Sequence, residues 1–141
     1  MANSWQSPVS GEPSLGTPHA TSDANRTTTV LVNTAVNTAN VWSASVSIPT
    51  APVGAKAAWC FCYVQLGAAQ PILAVEAATG YTLSSLAASG YFKYWHVETW
   101  LAGQGNGTML KIHLDSNKQF KWCTNITNST VFIMSPIDYD M

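Results

Sequence analysis

The stretch VWSASVSIPTAPVGAKAAWCFCYVQL, residues 41–66, decides the fold. Its first eight residues alternate: Trp42, Ala44, Val46 and Ile48 fall on one face and Ser43, Ser45 and Ser47 on the other, the period of a strand buried on one side. Pro49, Pro52 and Gly54 then interrupt the chain. Ala57 to Leu66 (AAWCFCYVQL) follows and is apolar at consecutive positions, which predicts a central strand covered on both sides.

The same texture extends outward in both directions. Thr27 to Asn33 (TTTVLVN) is β-branched and precedes the turn-rich Asn33 to Asn40. Ile72, Leu73 and Val75 suit a short strand; Leu83, Leu86 and Ala87 could instead form one helical turn after Thr82, but strand and loop fit the surroundings better. Tyr91 to Leu101 (YFKYWHVETWL) reads as a long aromatic strand that ends in the tight turn Gly103 to Gly107. Met109 to Leu114 and Lys118 to Thr124 flank the turn residues Asp115, Ser116 and Asn117, and Thr130 to Ser135 is closed by Pro136. About seven or eight short strands at intervals near ten residues, with no long amphipathic helix, predict an all-β fold: an antiparallel β-sandwich or jelly-roll-like domain over residues 27–141. Residues 1–26 differ. Pro8, Pro13 and Pro18 lie among Ser, Thr and Gly, Trp5, Val9 and Leu15 are isolated, and no period is visible, so an extended N-terminal arm is expected.

Composition narrows the function. Hydrophobic residues make up 47% of the 141 residues but charged ones only 9%, and the net charge is -1. A typical chain carries about 25% charged residues. A surface of Ser, Thr, Asn, Gln and Gly repels its neighbours weakly, so contact with other subunits is an expected state. Arg26 and five scattered lysines provide no basic stripe for nucleic acid. No apolar run of about 18 residues suggests a membrane span, and MANSWQSPVSGEPS lacks the features of a secretory signal.

Groups that could carry chemistry are sparse. His96 and Glu98 share a strand face, the spacing of an acid-base or metal pair, but Phe92, Tyr94 and Trp100 beside them suit a shielded contact equally well. His113 and Asp115 abut a turn and read as an exposed strand end. Cys60, Cys62 and Cys123 are expected to be small apolar core residues; a Cys-x-Cys plus one distant Cys is only a fragment of a zinc site, and a bridge from Cys123 to one of the pair is the other possibility. The sequons at Asn25, Asn106, Asn125 and Asn128 arise easily in so Asn- and Thr-rich a chain and are expected to be unused. No phosphate loop, dinucleotide fingerprint or nucleophile elbow occurs, so neither catalysis nor a cofactor or metal is expected. Six Trp and five Tyr exceed what a small core needs, which points to partner surfaces or to stacking on sugar rings, the latter with Trp100, Gln104 and Asn106 as its nearest constellation.

The phrases Ile48 to Trp59 (IPTAPVGAKAAW) and Leu114 to Trp122 (LDSNKQFKW), with a closing β-run at Val131 to Met134, resemble small virion proteins of tailed bacteriophages, capsid decoration (cement) proteins especially. The resemblance covers roughly residues 40–135 and rests on strand-and-turn phrases. It implies a β-sandwich body, commonly trimeric, made in the host cytoplasm and seated on the capsid surface, where it clamps the lattice of the major capsid protein, often through a terminal arm. The arm of this chain matches no motif of that family. On this reading Trp5, Val9 and Leu15 are the expected arm contacts and Tyr91, Tyr94, Trp95 and Trp100 the expected subunit contacts. A receptor- or carbohydrate-binding virion appendage, such as a head fibre or tail protein, is the rival, and a small hydrolase of unfamiliar type stands third.

Overall fold

The structure, a computed structural model, describes residues 29–65, 70–81, 83, 93–99 and 103–141. The expected arm with Trp5, Val9 and Leu15, the helical-turn alternative after Thr82, the Asn25 sequon, and Tyr91 and Trp100 all lie outside the described residues.

Nine strands occur among the described residues: β1 (Val30–Ala35), β2 (Val46–Ser47), β3 (Ala57–Gln65), β4 (Ile72–Ala77), β5 (Trp95–Glu98), β6 (Asn106–His113), β7 (Gln119–Thr124), β8 (Thr130–Met134) and β9 (Asp138–Asp140). They form two antiparallel sheets, so the fold is an all-β sandwich. The first sheet runs β1-β8-β3-β6, and the second β2-β7-β4-β5. β9 pairs with Ala57, Ala58 and Trp59 at the start of β3, while β8 pairs with Cys62 to Gln65 farther along. The chain leaves the ladder at Pro136, which has no N–H to give, and rejoins where Ile137 N donates to Trp59 O at 2.9 Å.

Period-2 alternation decides which side chains go inside. On β3 the even positions Ala58, Cys60, Cys62 and Val64 are buried, and they meet Leu110 and Ile112 of β6 and Val131 and Ile133 of β8 in one core. The second sheet contributes Leu73 and Val75 of β4, Val97 of β5 and Phe120 of β7, with Ile48 from the approach to β3. Burial of the Val, Leu, Ile and Phe side chains among them, each stabilising by about 1.5–3 kcal/mol, supplies most of the drive to fold. All three cysteines are free and fully buried, as expected of apolar packing residues, and burial pushes the Cys60 thiol from 9.0 up to about 12 and moves Cys62 in the same direction.

Two expectations for residues 41–66 need correction. The alternating segment at residues 41–48 yields only a two-residue strand, β2, paired with Gln119 and Phe120. Val46 and Ile48 do turn into the core, but Trp42 belongs to a second cluster with Ala74, Tyr94, Cys123 and Leu83. Ser43 is responsible for the break: its backbone N–H donates to Trp122 O at 2.8 Å and its hydroxyl accepts from Trp122 N at 3.1 Å, so a side chain replaces one rung of the ladder. The second correction concerns β3. The other sheet covers only its even side, while Trp59, Phe61 and Tyr63 alternate with the core residues and remain half-buried on the outside.

Candidate functional site

An antiparallel sheet packed on one face usually presents polar side chains on the other. On the first sheet apolar side chains take the middle of that face, with Asn33, Gln65 and Thr130 around them. On its outer face β3 places Trp59, Phe61 and Tyr63, and the register sets Phe132 of β8 beside Tyr63 and Met109 of β6 beside Phe61. Val30 lies opposite Met134 at the far edge. Val30 is 39% and Met109 37% exposed, and Phe132 and Met134 are half-buried. Gly107 on β6 and Gly105 just before it set the posture of two rings: a Cβ at Gly105 would collide with the Tyr63 phenol, and one at Gly107 with the Phe61 ring. The rings therefore lie over the backbone of Gly105 and Gly107, where there is no side chain, as part of an apolar face.

At one end this face meets a polar corner. Trp59 Nε1 donates to Asp140 Oδ1 at 3.1 Å, Lys111 Nζ lies 2.5 Å from Asp140 Oδ2, and the Lys111 ammonium stands 6.0 Å from the Trp59 ring centroid. Lys111 and the Trp59 indole hold the Asp140 carboxyl below the usual carboxylate range. One strand-step beyond Lys111 on the same side, His113 Nδ1 is 2.8 Å from Oε1 of the buried Glu76. That oxygen also accepts the backbone N–H of Ala77 at 2.8 Å. Tyr81 stacks on the His113 ring at 5.7 Å and 14°, and Trp95 meets it edge-on at 6.4 Å and 88°. A shallow cleft of about 420 Å³ opens here, lined by Tyr81, Lys111, His113 and Asp140 among others.

The residues singled out from sequence divide between these places. Trp95 is exposed and joins the corner, whereas Tyr94 is buried and packs edge-on against Trp42 at 4.9 Å and 71°. The ring of Tyr94 is thus largely taken up within the chain. His96 and Glu98 share the outer side of the second sheet as their spacing required, and His96 Nδ1 sits 3.0 Å from Tyr94 O. Asp115 is not the partner of His113. Its Oδ1 accepts the N–H groups of Asn117 and Gln119, both at 2.9 Å, and its Oδ2 accepts the Thr79 hydroxyl at 3.0 Å, so it ties the β6–β7 turn. The expected exposed strand end at His113 is instead a half-buried pair with Glu76 from the other sheet, a contact that no local pattern announces.

Three sequons fall among the described residues. Asn125 Oδ1 accepts from Ile72 N at 2.8 Å and its amide donates to Gln70 O at 3.0 Å, and the Asn106 amide donates to Glu98 O at 2.8 Å. Both side chains serve to fasten neighbouring segments; Asn128 is exposed. Among the described residues no group of three or more His, Cys, Asp or Glu is placed to hold a metal ion, and no helix is long and apolar enough to cross a membrane.

Compared with protein-family models, with curated proteins and with solved structures, the chain matches none.

Proposed function

We propose that this chain is a non-enzymatic structural protein of a phage particle, a capsid decoration (cement) protein that binds the lattice of the major capsid protein and stabilises the mature head. The observation that carries this reading is the outer face of the first sheet, where Trp59, Phe61, Tyr63, Met109 and Phe132 occupy positions that in a solitary domain would hold Ser, Thr or Lys. Apolar rings laid flat on a rigid sheet lose little conformational entropy on docking, which suits a contact between subunits. The low charge of the chain and the resemblance of its strand-and-turn phrases to those of virion proteins support the same reading. A protein that binds only the assembled shell stabilises it by mass action, and three copies acting as one trimer raise the effective concentration at each site.

The test is rebinding to phage heads stripped of this protein, followed by heating. The reading expects saturable binding and a higher temperature of DNA release; no binding, or binding with no gain in heat resistance, overturns it. Light scattering on the free protein then decides whether the bound unit is the expected trimer or a single chain.

A further inference from the structure

We propose that the corner cleft beside His113 is a saccharide-binding site, with Tyr81 as its stacking platform and the Lys111–Asp140 pair as its hydrogen-bonding wall. The inference rests on the corner geometry alone and stands or falls apart from the virion reading.

A sugar ring presents an apolar C–H face and a rim of hydroxyls, and it needs an exposed aromatic plane next to fixed donors and acceptors. Tyr81 supplies the plane: its ring is stacked on His113, and it stays 54% exposed, so stacking orients one face of the ring and leaves it open among the described residues. Trp95, 43% exposed, flanks the same imidazole. His113 is itself held by the buried carboxylate of Glu76, which fixes the ring on which Tyr81 rests. Asp140 is oriented by the Trp59 indole and by Lys111, yet the Lys111 and Asp140 side chains keep 30% and 38% of their surface open to solvent. Vicinal hydroxyls that donate to the carboxylate and accept from the ammonium would replace water there without breaking the ion pair. A cleft of about 420 Å³ is in the range used by small ligands.

The same features argue against a protein partner at this spot. Covering Lys111 and Asp140 with an apolar surface would desolvate a charged pair with no compensating hydrogen bonds. Beyond Trp59, which borders both, the apolar face of Phe61, Tyr63, Met109 and Phe132 carries no such penalty, and the two surfaces therefore suit different occupants.

The experiment is a screen of the intact protein on a glycan array, followed by titration calorimetry of the strongest binder against the wild type, Tyr81→Ala, Asp140→Asn and the control Met109→Ala. Binding weakened roughly tenfold or more by Tyr81→Ala and by Asp140→Asn, but unchanged by Met109→Ala, is the expected result. No glycan bound by the wild type, or affinity that survives both corner substitutions, overturns the proposal. Should Asp140→Asn lower the melting temperature through its contact with Trp59, the exposed Tyr81→Ala decides alone. Tyr81→Ala is expected to bind stripped heads normally, which separates failure of this site from failure of the decoration role.

Discussion

The two faces of β3 are built in opposite senses. The face toward the second sheet carries Ala58, Cys60, Cys62 and Val64, all small and fully buried, while the outer face carries Trp59, Phe61 and Tyr63, which are large and half-buried. Size and burial usually go together, because large apolar side chains gain most by leaving water. The inner face is small because the opposite sheet delivers Phe120, Leu73 and Val75 to the same space, and a close-packed interior has room for one large partner in each pair. That argument does not extend to the outer face, where the packing of the described residues does not call for three aromatic rings. Their value lies in what can be placed against them.

The largest effect should come from the inner face. Phe120→Ala opens a cavity opposite the small side chains of β3 and should cost about 3–5 kcal/mol in urea unfolding; a loss below about 1 kcal/mol would mean the core is not closed around that ring. Alkali probes the same wall. Because the Cys60 thiol is raised from 9.0 to about 12 in the fold, its neutral form is favoured there, and its contribution to stability should be constant below pH 9 and fall as the pH rises toward 12. By pH 11 this thiol accounts for about 2–3 kcal/mol, read as the difference between the wild type and a folded Cys60→Ala variant, in which the loss from Cys62 remains.

Outer-face substitutions should invert that pattern. Phe61→Ser and Phe132→Ser should each lower stability by only about 1 kcal/mol, since neither ring is fully buried, and yet should abolish binding to stripped heads. A large stability loss with binding intact would assign the rings to the chain's own core. The smallest effect belongs to Gly107→Ala. The added methyl meets the far end of the Phe61 ring, which can lift away, so unfolding should change by less than about 1 kcal/mol while binding weakens through loss of the flat surface.

The same contrast separates what was legible in the sequence from what was not. Strand identity was legible wherever alternation ran through a paired segment: Ala57–Gln65, Gln119–Thr124 and Thr130–Met134 lie within a residue or so of their expected bounds. Alternation alone failed at residues 41–48, where the Ser43 hydroxyl competes with the ladder, and β9 is too short to show a period. The two apolar faces of β3 were visible, but the expected cover on both sides is full on one and partial on the other, since a sequence reveals that a face is apolar and not what lies opposite. The corner was hidden for a different reason. Glu76 and His113 are separated by 37 residues and lie on different sheets, so only the assembled sandwich brings them together. The polar pair that spacing did suggest, His96 with Glu98, shares a face but sits away from the corner cleft.

Oxidative footprinting of the protein free and bound to capsids measures directly whether the outer face of the first sheet is covered by neighbours. The account predicts that Trp59, Tyr63, Met109 and Phe132 lose reactivity on binding while Val53, at the tip of the turn after Pro52, keeps its own. Equal reactivity of the four in the free and bound protein would contradict it.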